Sequence, residues 1–304
     1  SSGSGQRALN RRGGAATVGR MTVVDALLAI ARSDHGAARS AAEAAVAAEP
    51  GARLAPALAR FLGDRGREGV YEDPTAFEQF IDGGGNPVLY ERTIHELRSV
   101  HEARRPASVL DSGCGDGRVT AATVTGSTTS VDLVEPSAEL LRLATAALAT
   151  DGREVSSHPE GIERFLSDHT TRRWDLVQST FALHALDPAT RGSVLTELAL
   201  RTDRLLIVDF DVPDVEDRSA EHAHYATERY EHGLAEYADD PEVVDGFLLP
   251  VLVGQFDPAR RRHTFEQSVA AWTDQLTAAG FAVESRPISE YWWATAHLFD
   301  ASIS

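Results

Sequence analysis

The chain has 304 residues, enough for one large domain or for a core domain with an additional module. Its formal net charge of −17 argues against binding DNA or RNA, because an acidic surface repels phosphate backbones. No apolar stretch approaches the roughly 20 residues of a membrane span, and the single cysteine, Cys114, cannot form an internal disulfide. These features predict a cytoplasmic, globular protein with neither a nucleic acid nor a membrane as its partner.

The N-terminal part of the chain is predicted to hold a tail and a helical module. Residues 1–20 are rich in Gly, Ser and Arg and lack an apolar run, so we interpret them as a tag or a disordered tail. Residues 21–66 are rich in alanine, with apolar side chains at helical spacing and a break at Pro50-Gly51. This module either packs or dimerises, which makes a homodimer possible, or it forms a lid over a substrate pocket.

Three successive glycines, Gly83 to Gly85, predict a flexible turn between helices ahead of the first strand. A loop at this place could close over a ligand. Tyr71 and Tyr90, on either side of the turn, are candidate pocket residues, although each could be an ordinary packing aromatic.

From residue 108 onward, short apolar runs alternate with helical patterns, which predicts a mostly parallel sheet with helices on both faces. The predicted strands are residues 108–110, 130–135, 155–158, 175–179 and 204–209. Helices are predicted between them, for example at 137–150 and 188–200.

The C-terminal part of the chain is predicted to add a hairpin and a cap. Residues 280–284 and 291–299 read as two strands joined by a turn, and adjacent Trp292 and Trp293 would then face opposite sides of a strand. Residues 211–279 precede this hairpin and include a polar helix at about 216–237. Because parallel sheets bind ligands at the carboxyl ends of their strands, we expect this insertion to roof the substrate pocket.

The segment that follows the first strand is Asp111-Ser112-Gly113-Cys114-Gly115-Asp116-Gly117. Alternate glycines predict a tight turn into a helix, where bare backbone can approach a ligand. The second strand ends at Glu135, and a carboxylate there can accept both hydroxyls of a ribose. A dinucleotide site shares these features. However, an acidic residue before Gly-x-Gly-x-Gly, in place of Gly-x-Gly-x-x-Gly, favours a ligand with a cationic amine, such as S-adenosyl-L-methionine (SAM).

With these motifs, and with 134–137, 159–163 and 174–186, the chain resembles the class I SAM-dependent methyltransferases from about residue 90 to its end. Ser112 departs from the family pattern, in which an aliphatic residue is commoner. The resemblance implies an α/β fold, namely a Rossmann-like seven-stranded sheet with helices on both faces, whose final hairpin adds an antiparallel strand. It also implies SAM as the cofactor and a methyltransferase domain over residues 67–304.

The resemblance implies roles for residues around the glycine turn. Asp111 would hold the methionine ammonium of the cofactor, directly or through water. Gly113 and Gly115 would let the backbone approach the cofactor, and Glu135 would take the ribose hydroxyls.

Further residues are implied around the adenine and the methionine. Pro136 and Ile162 would flank the adenine ring, and Glu160 with the N–H of Gly161 would meet its edge. The region of Ser179 would line the methionine moiety.

Methyl transfer needs alignment of the acceptor and exclusion of water, and it needs a base only if the acceptor must lose a proton. His184, after the fourth strand, is the candidate catalytic base, and a structural histidine that caps the next helix is the alternative. Asp209 and Asp211 lie at the rim of the same pocket, where turn and cap chemistry is the favoured interpretation.

We predict no metal site, because the histidines show no recognisable ligand spacing. His222 and His224 point to different helix faces, although His263 or His297 with a carboxylate stays possible. The run 260–262 consists of three arginines that could clamp a carboxylate or phosphate, or could simply be solvated.

The sequence therefore predicts a SAM-dependent methyltransferase of a small molecule in specialised metabolism. The acceptor is expected to be anionic: a 2-oxo acid, a carboxylate or a prenyl diphosphate. The alternatives are a SAM- or nucleotide-binding sensor or partner subunit without catalysis and, less favoured by the glycine pattern, an NAD-dependent oxidoreductase.

Overall fold

The structure, a computed structural model, describes residues 21–63, 74–149, 152–260, 262 and 264–303. The predicted tail 1–20 and three residues named above, Tyr71, Arg261 and His263, lie outside the described residues. None of the described helices is long and apolar enough to cross a membrane.

Seven strands form a single sheet in the described chain. They are β1 (Ser108–Ser112), β2 (Ser130–Val134), β3 (Glu154–His158), β4 (Leu176–Thr180), β5 (Arg204–Asp211), β6 (Ala282–Ser289) and β7 (Thr295–Ser302). Their order is β3-β2-β1-β4-β5-β7-β6, with β1 to β5 parallel and β7 antiparallel to both of its neighbours. The prediction of a parallel sheet that ends in an antiparallel hairpin is confirmed.

Helices cover both faces of this sheet and extend beyond its carboxyl edge. They are α1 (Val23–Ala31), α2 (His35–Ala48), α3 (Leu54–Gly63), α4 (Pro74–Asp82), α5 (Asn86–Arg104), α6 (Arg118–Thr123), α7 (Ala138–Leu148), α8 (Ile162–Asp168), α9 (Pro188–Ala199), α10 (Ala220–Glu236), α11 (Pro241–Val243), α12 (Leu249–Phe256) and α13 (Val269–Ala278). A π-helical turn, Val244–Leu248, joins α11 to α12.

The central strands bury side chains on both faces, as parallel strands under two helical layers must. Leu110 of β1 and Val177 of β4 pack with the layer of α8, α9 and α13. Val109 and Leu176, one residue earlier in each strand, pack with the layer of α5 to α7. This alternation decides which side chains of β1 and β4 face α5.

The N-terminal helices and the insertion share one hydrophobic core. The apolar faces of α1 and α3 pack on α10 and α12, so that Leu27 and Leu58 are buried in the same cluster as Leu252. Glu231 of α10 also caps α3, because its carboxylate accepts the backbone N–H groups of Arg53 at 2.9 Å and Leu54 at 2.8 Å. The helical module is thus continuous with the insertion, residues 211–279.

The glycine turn before α5 is held in place by the end of α10. The N–H of Gly85 donates to Glu236 Oε2 at 2.8 Å, and the Tyr237 hydroxyl donates to the carbonyl of Gly83. An added Cβ at Gly84 would lie 2.7 Å from the Tyr237 ring, so the close packing there requires glycine. The structure thus shows a clamped turn in place of the flexible one that the sequence predicted.

The prediction for the two adjacent tryptophans is wrong. Trp292 and Trp293 lie in the turn between β6 and β7 and are both buried, because α10 covers this turn. Trp292 packs closely on Gly233, and Trp293 meets the ring of Tyr225 edge to face at 5.4 Å. A turn under a cap has no outward face, so the alternation of a strand does not apply.

Candidate active site

The turn between β1 and α6 is closely packed at one glycine and borders open space at the next. Gly113 has a φ of +74°, and an added Cβ there would lie 2.3 Å from Ala182 Cβ. Gly115 has a φ of +55°, yet no described atom would lie within 4 Å of a Cβ added to it. The turn is therefore closely packed at Gly113 and open at Gly115, as a backbone that receives a ligand requires.

Glu135 lies across this opening, directly after β2. Its Oε2 accepts the N–H of Gly115 at 3.2 Å, and its Oε1 accepts the N–H of Ser137 at 2.9 Å. The carboxylate is thereby fixed beside the open side of the turn, with lone pairs left for two further donors. Pro136, the next residue, is exposed at the same edge.

Asp111 is a buried carboxylate at the carboxyl end of β1. Its Oδ2 accepts hydrogen bonds from the Thr120 hydroxyl and, at 2.8 Å, from Gln178 Nε2, whereas its buried Oδ1 has no partner in the described part of the chain. Burial raises the pKa of Asp111 to about 6, against the two donors that lower it and together with the charge of Glu135. Such a site is satisfied by a cation that reaches Oδ1.

The three features above fit the cofactor that the sequence implies. SAM presents an ammonium group, which can donate to Asp111 Oδ1, an atom without a donor among the described residues. It also presents two ribose hydroxyls, which can donate to Glu135. The space beside Gly115 is open, and the N–H of this residue donates to Glu135.

Sequence reasoning missed the groups that hold Asp111. Gln178 of β4 bonds Asp111 on one side and His101 of α5 on the other, and all three are buried. A signal was present, because Gln178 interrupts an apolar strand at a position between buried neighbours.

The residues that the sequence analysis expects around the adenine meet at the start of α8. Ile162 is buried, and Gly161 precedes it as the extended N-cap of the helix. Glu160 is half-buried, and its Oε2 lies 3.3 Å from Arg164 Nε. The structure thus brings Glu160, Gly161 and Ile162 together one strand away from Glu135.

Glu160 also belongs to a group of potential metal ligands that the sequence did not predict. One ligand atom each of His158, Glu160 and His169 lies within 4.8 Å of the others. His158 Nε2 is already bonded to Asp132 Oδ1 at 3.0 Å, and Arg172 lies 2.9 Å from the same oxygen. His222, His224 and His297 take part in no such group in the described ranges.

Ser179 is buried, and its hydroxyl donates to the carbonyl of Ser112 at 2.8 Å. The side chain therefore ties β4 to β1. Its hydroxyl hydrogen is committed within the protein.

His184 and Asp209 form a buried pair near the carboxyl ends of β4 and β5. The Nδ1 of His184 lies 2.9 Å from Asp209 Oδ1. Burial alone would lower the pKa of His184, but the charge and hydrogen bond of Asp209 outweigh it and raise the pKa to about 9. His184 is therefore an imidazolium at neutral pH. Asp211 instead accepts the N–H of Val269 at 2.8 Å, as the interpretation by cap chemistry expected.

An aromatic wall, formed by Tyr90, Phe181, Phe210 and Tyr291, lines the opposite side of the same strand ends. Phe181 follows β4 with a φ of +51°, a strained conformation for a bulky residue, and stacks on Phe210 with ring centroids 4.9 Å apart. Tyr90 meets Phe181 edge to face at 5.9 Å, and Tyr291 stacks on Phe210 at 5.6 Å. Burial raises the pKa of Tyr90 to about 12, so its hydroxyl stays neutral. Of these four, the sequence singled out only Tyr90 as a pocket residue.

The described arginines of the 260–262 run have partners. Arg262 pairs with Asp217 and donates from Nε to the carbonyl of Thr264 at 2.6 Å. Arg260 Nε lies 3.7 Å from Asp257.

Residues 109–203, which run from β1 to the end of α9, match a family model described as a methyltransferase domain. No curated protein sequence matches the chain.

Three solved structures are similar to the chain. Magnesium protoporphyrin IX methyltransferase (ChlM) from Synechocystis PCC 6803, with bound SAH, has 15% identity and a TM-score of 0.48 over 71% of this chain and 84% of that one. The N-methyltransferase NodS from Bradyrhizobium japonicum WM9 has 11% identity and a TM-score of 0.49 over 76% and 92%. The 1,6-didemethyltoxoflavin-N1-methyltransferase of Burkholderia thailandensis has 18% identity and a TM-score of 0.47 over 78% and 92%. With TM-scores below 0.5, none of them bears on what this chain methylates.

The sheet order and the matched domain define a Rossmann-like methyltransferase fold. Residues 109–203 therefore form a methyltransferase domain, for which SAM is the cofactor that the sequence predicts.

Proposed function

We propose that the protein methylates a small molecule that binds above the carboxyl ends of β4 and β5, under the cap. The observation that carries this proposal is the aromatic wall at the end of β4, whose half-buried rings Tyr90 and Phe181 pack against the shared core of the N-terminal helices and the insertion. A wall of stacked rings suits a flat apolar group. The acidic net charge of the chain disfavours a nucleic acid in its place.

For the cofactor, the proposed roles follow the expected residues. Asp111 accepts the ammonium, Glu135 the ribose hydroxyls, and Glu160 with the Gly161 N–H the adenine edge between Pro136 and Ile162. Bound SAM supplies an electrophilic methyl group. The protein orients it and excludes water. For Ser179 we propose a backbone contribution alone, because its hydroxyl already donates to Ser112.

For the acceptor, we propose a molecule that joins the flat group to an anion: a 2-oxo acid, a carboxylate or a prenyl diphosphate. The anionic part follows the expectation from the sequence. His184, an imidazolium three residues beyond Phe181, and the described arginines Arg260 and Arg262 are the cations considered for it, and each already faces a carboxylate of the protein.

His184 is the candidate base, and it can accept a proton only in its neutral form. With a pKa of about 9, the neutral fraction grows as the pH rises towards that value. Turnover that depends on His184 therefore increases between pH 7 and 9 and is lost in His184→Gln. Turnover that is already maximal at pH 7 and survives the substitution assigns His184 to structure.

The first test is calorimetric titration with S-adenosylhomocysteine (SAH), with NAD as the control. Micromolar binding of SAH alone supports the cofactor site, and a preference for NAD would overturn it. Turnover is then measured as SAH release with an aromatic 2-oxo acid, an aromatic carboxylate and a prenyl diphosphate. Each is paired with an uncharged analogue, namely the ketone, the amide and the alcohol.

Methylation of the charged member of a pair supports the anionic acceptor, and methylation of the uncharged member alone contradicts it. SAH binding without turnover on any acceptor favours the alternative of a sensor or partner subunit. A homodimer and a cytoplasmic location stay predictions. Light scattering of the purified protein and fractionation of its host cell check them.

A further inference from the structure

A continuous chain of buried hydrogen bonds runs from α5 to the proposed ammonium site. His101 Nε2 lies 2.9 Å from Gln178 Oε1, and Gln178 Nε2 lies 2.8 Å from Asp111 Oδ2. The Thr120 hydroxyl donates to the same carboxylate oxygen. All four side chains are buried, so solvent cannot substitute for a missing partner.

The hydrogen bonds from His101 to Asp111 all run in one direction. Burial lowers the pKa of His101, against the hydrogen bond to Gln178, so the ring is neutral at pH 7 and carries one proton. Because the amide oxygen of Gln178 only accepts, this proton is on Nε2, which leaves Gln178 Nε2 to donate to Asp111. A reversed amide would place its oxygen against the carboxylate and lose the bond to Asp111.

This direction matters because no described residue places a positive charge on Asp111. Among the described residues its hydrogen-bond partners are neutral, and the charge that acts on it is that of Glu135, which disfavours ionisation. Cys114 adds no charge, because burial and the carboxylates of Asp111 and Glu135 raise the pKa of its thiol. Asp116, in the same turn, is bonded to Arg118. The two donors on Oδ2 are thus the stabilising contacts of an ionised Asp111, and Oδ1 is left for a ligand.

We propose that Gln178, oriented by His101, is a positioning residue for the cofactor. Gln178 keeps Asp111 ionised and leaves Asp111 Oδ1 to receive the ammonium. The proposal rests on the ammonium contact proposed for Asp111. It extends the site to α5, an element that touches the network from outside the glycine turn.

The test is the pH dependence of SAH affinity, measured by calorimetry between pH 5 and 8. In the wild type, affinity begins to fall below about pH 6, where Asp111 takes up a proton. Gln178→Leu removes one donor to a charged group, which we expect to weaken binding about tenfold at pH 8 and to raise this onset by about one pH unit. His101→Leu shifts the onset in the same direction by less. His101→Gln, which retains an N–H donor, brings the pH of this onset part of the way back to that of the wild type.

Val177→Ala is the matched control, because Val177 is the buried neighbour on the other face of β4. It is expected to lower the unfolding temperature without moving the onset. An onset in Gln178→Leu and His101→Leu equal to that of the control would overturn the positioning role. Absence of SAH binding in the wild type would instead overturn the proposed function. An unchanged onset in Asp111→Asn would remove the ammonium contact. If Gln178→Leu fails to fold, the two His101 variants decide.

Discussion

Asp111 and Asp209 are both buried on parallel strands of the same sheet, and they differ in how their charge is stabilised. Asp209 on β5 pairs with His184, an imidazolium within the protein. Asp111 on β1 has two neutral donors, and its pKa is raised to about 6. The comparison teaches that a buried carboxylate without a cation has a charge left for a ligand to balance, whereas one with an internal partner already has its charge balanced by the protein.

The largest effect is expected for Asp111→Asn. SAH affinity should fall at least 100-fold, as loss of a buried charge pair implies. Because the folded pKa is raised above its ordinary value of 3.8, Asp111 stabilises the fold at low pH and loses this contribution as the pH rises through about 6. The variant, free of the buried charge, should therefore be more stable than the wild type at pH 8 without ligand, by up to about 3 kcal/mol. Denaturant unfolding checks this, and a less stable variant would contradict the comparison.

The second largest effect is expected for the pair of His184 and Asp209. The folded pKa of His184 is raised from 6.5 to about 9, so the stabilisation is complete below pH 6.5 and is lost as the pH rises through 9. Unfolding free energy should drop by up to about 3 kcal/mol across this window. In His184→Gln the drop should be absent. A persistent drop in the variant would show that another group is responsible.

A matched pair of substitutions separates packing from binding in the glycine turn. Gly113→Ala and Gly115→Ala share a left-handed backbone, which costs about 1–2 kcal/mol in each. Only the first adds a clash, with Ala182, and should be the less stable. Gly115→Ala fills the open space and should lose SAH affinity beyond its loss of stability. Equal affinities in the two variants would place the cofactor elsewhere.

The smallest effect is expected for Ser179→Ala. Loss of the bond to the Ser112 carbonyl should cost about 1 kcal/mol of stability and leave SAH affinity unchanged. A clear loss of affinity would restore the expected contact of this side chain with the methionine moiety.

The sequence predicted the features that short segments encode. The glycine turn after β1, the carboxylate at the end of β2 and the antiparallel hairpin each depend on residues close together in the chain. The support of Asp111 was not predictable in this way, because His101 and Gln178 are 77 positions apart. The aromatic wall likewise joins Tyr90, Phe181 and Tyr291 from three distant segments. Such contacts arise from packing between elements, which periodicity along one element does not reveal.

The capping of α3 by Glu231 has a consequence for protein engineering. The start of α3 and the middle of α10 share hydrogen bonds and a common core. A chimeric protein therefore has to take both segments from the same parent. A chimera that takes residues 211–279 from another enzyme while retaining α1 to α3 would face a mismatched interface. Transplanting both as a unit onto the same sheet is the practical route to a new acceptor.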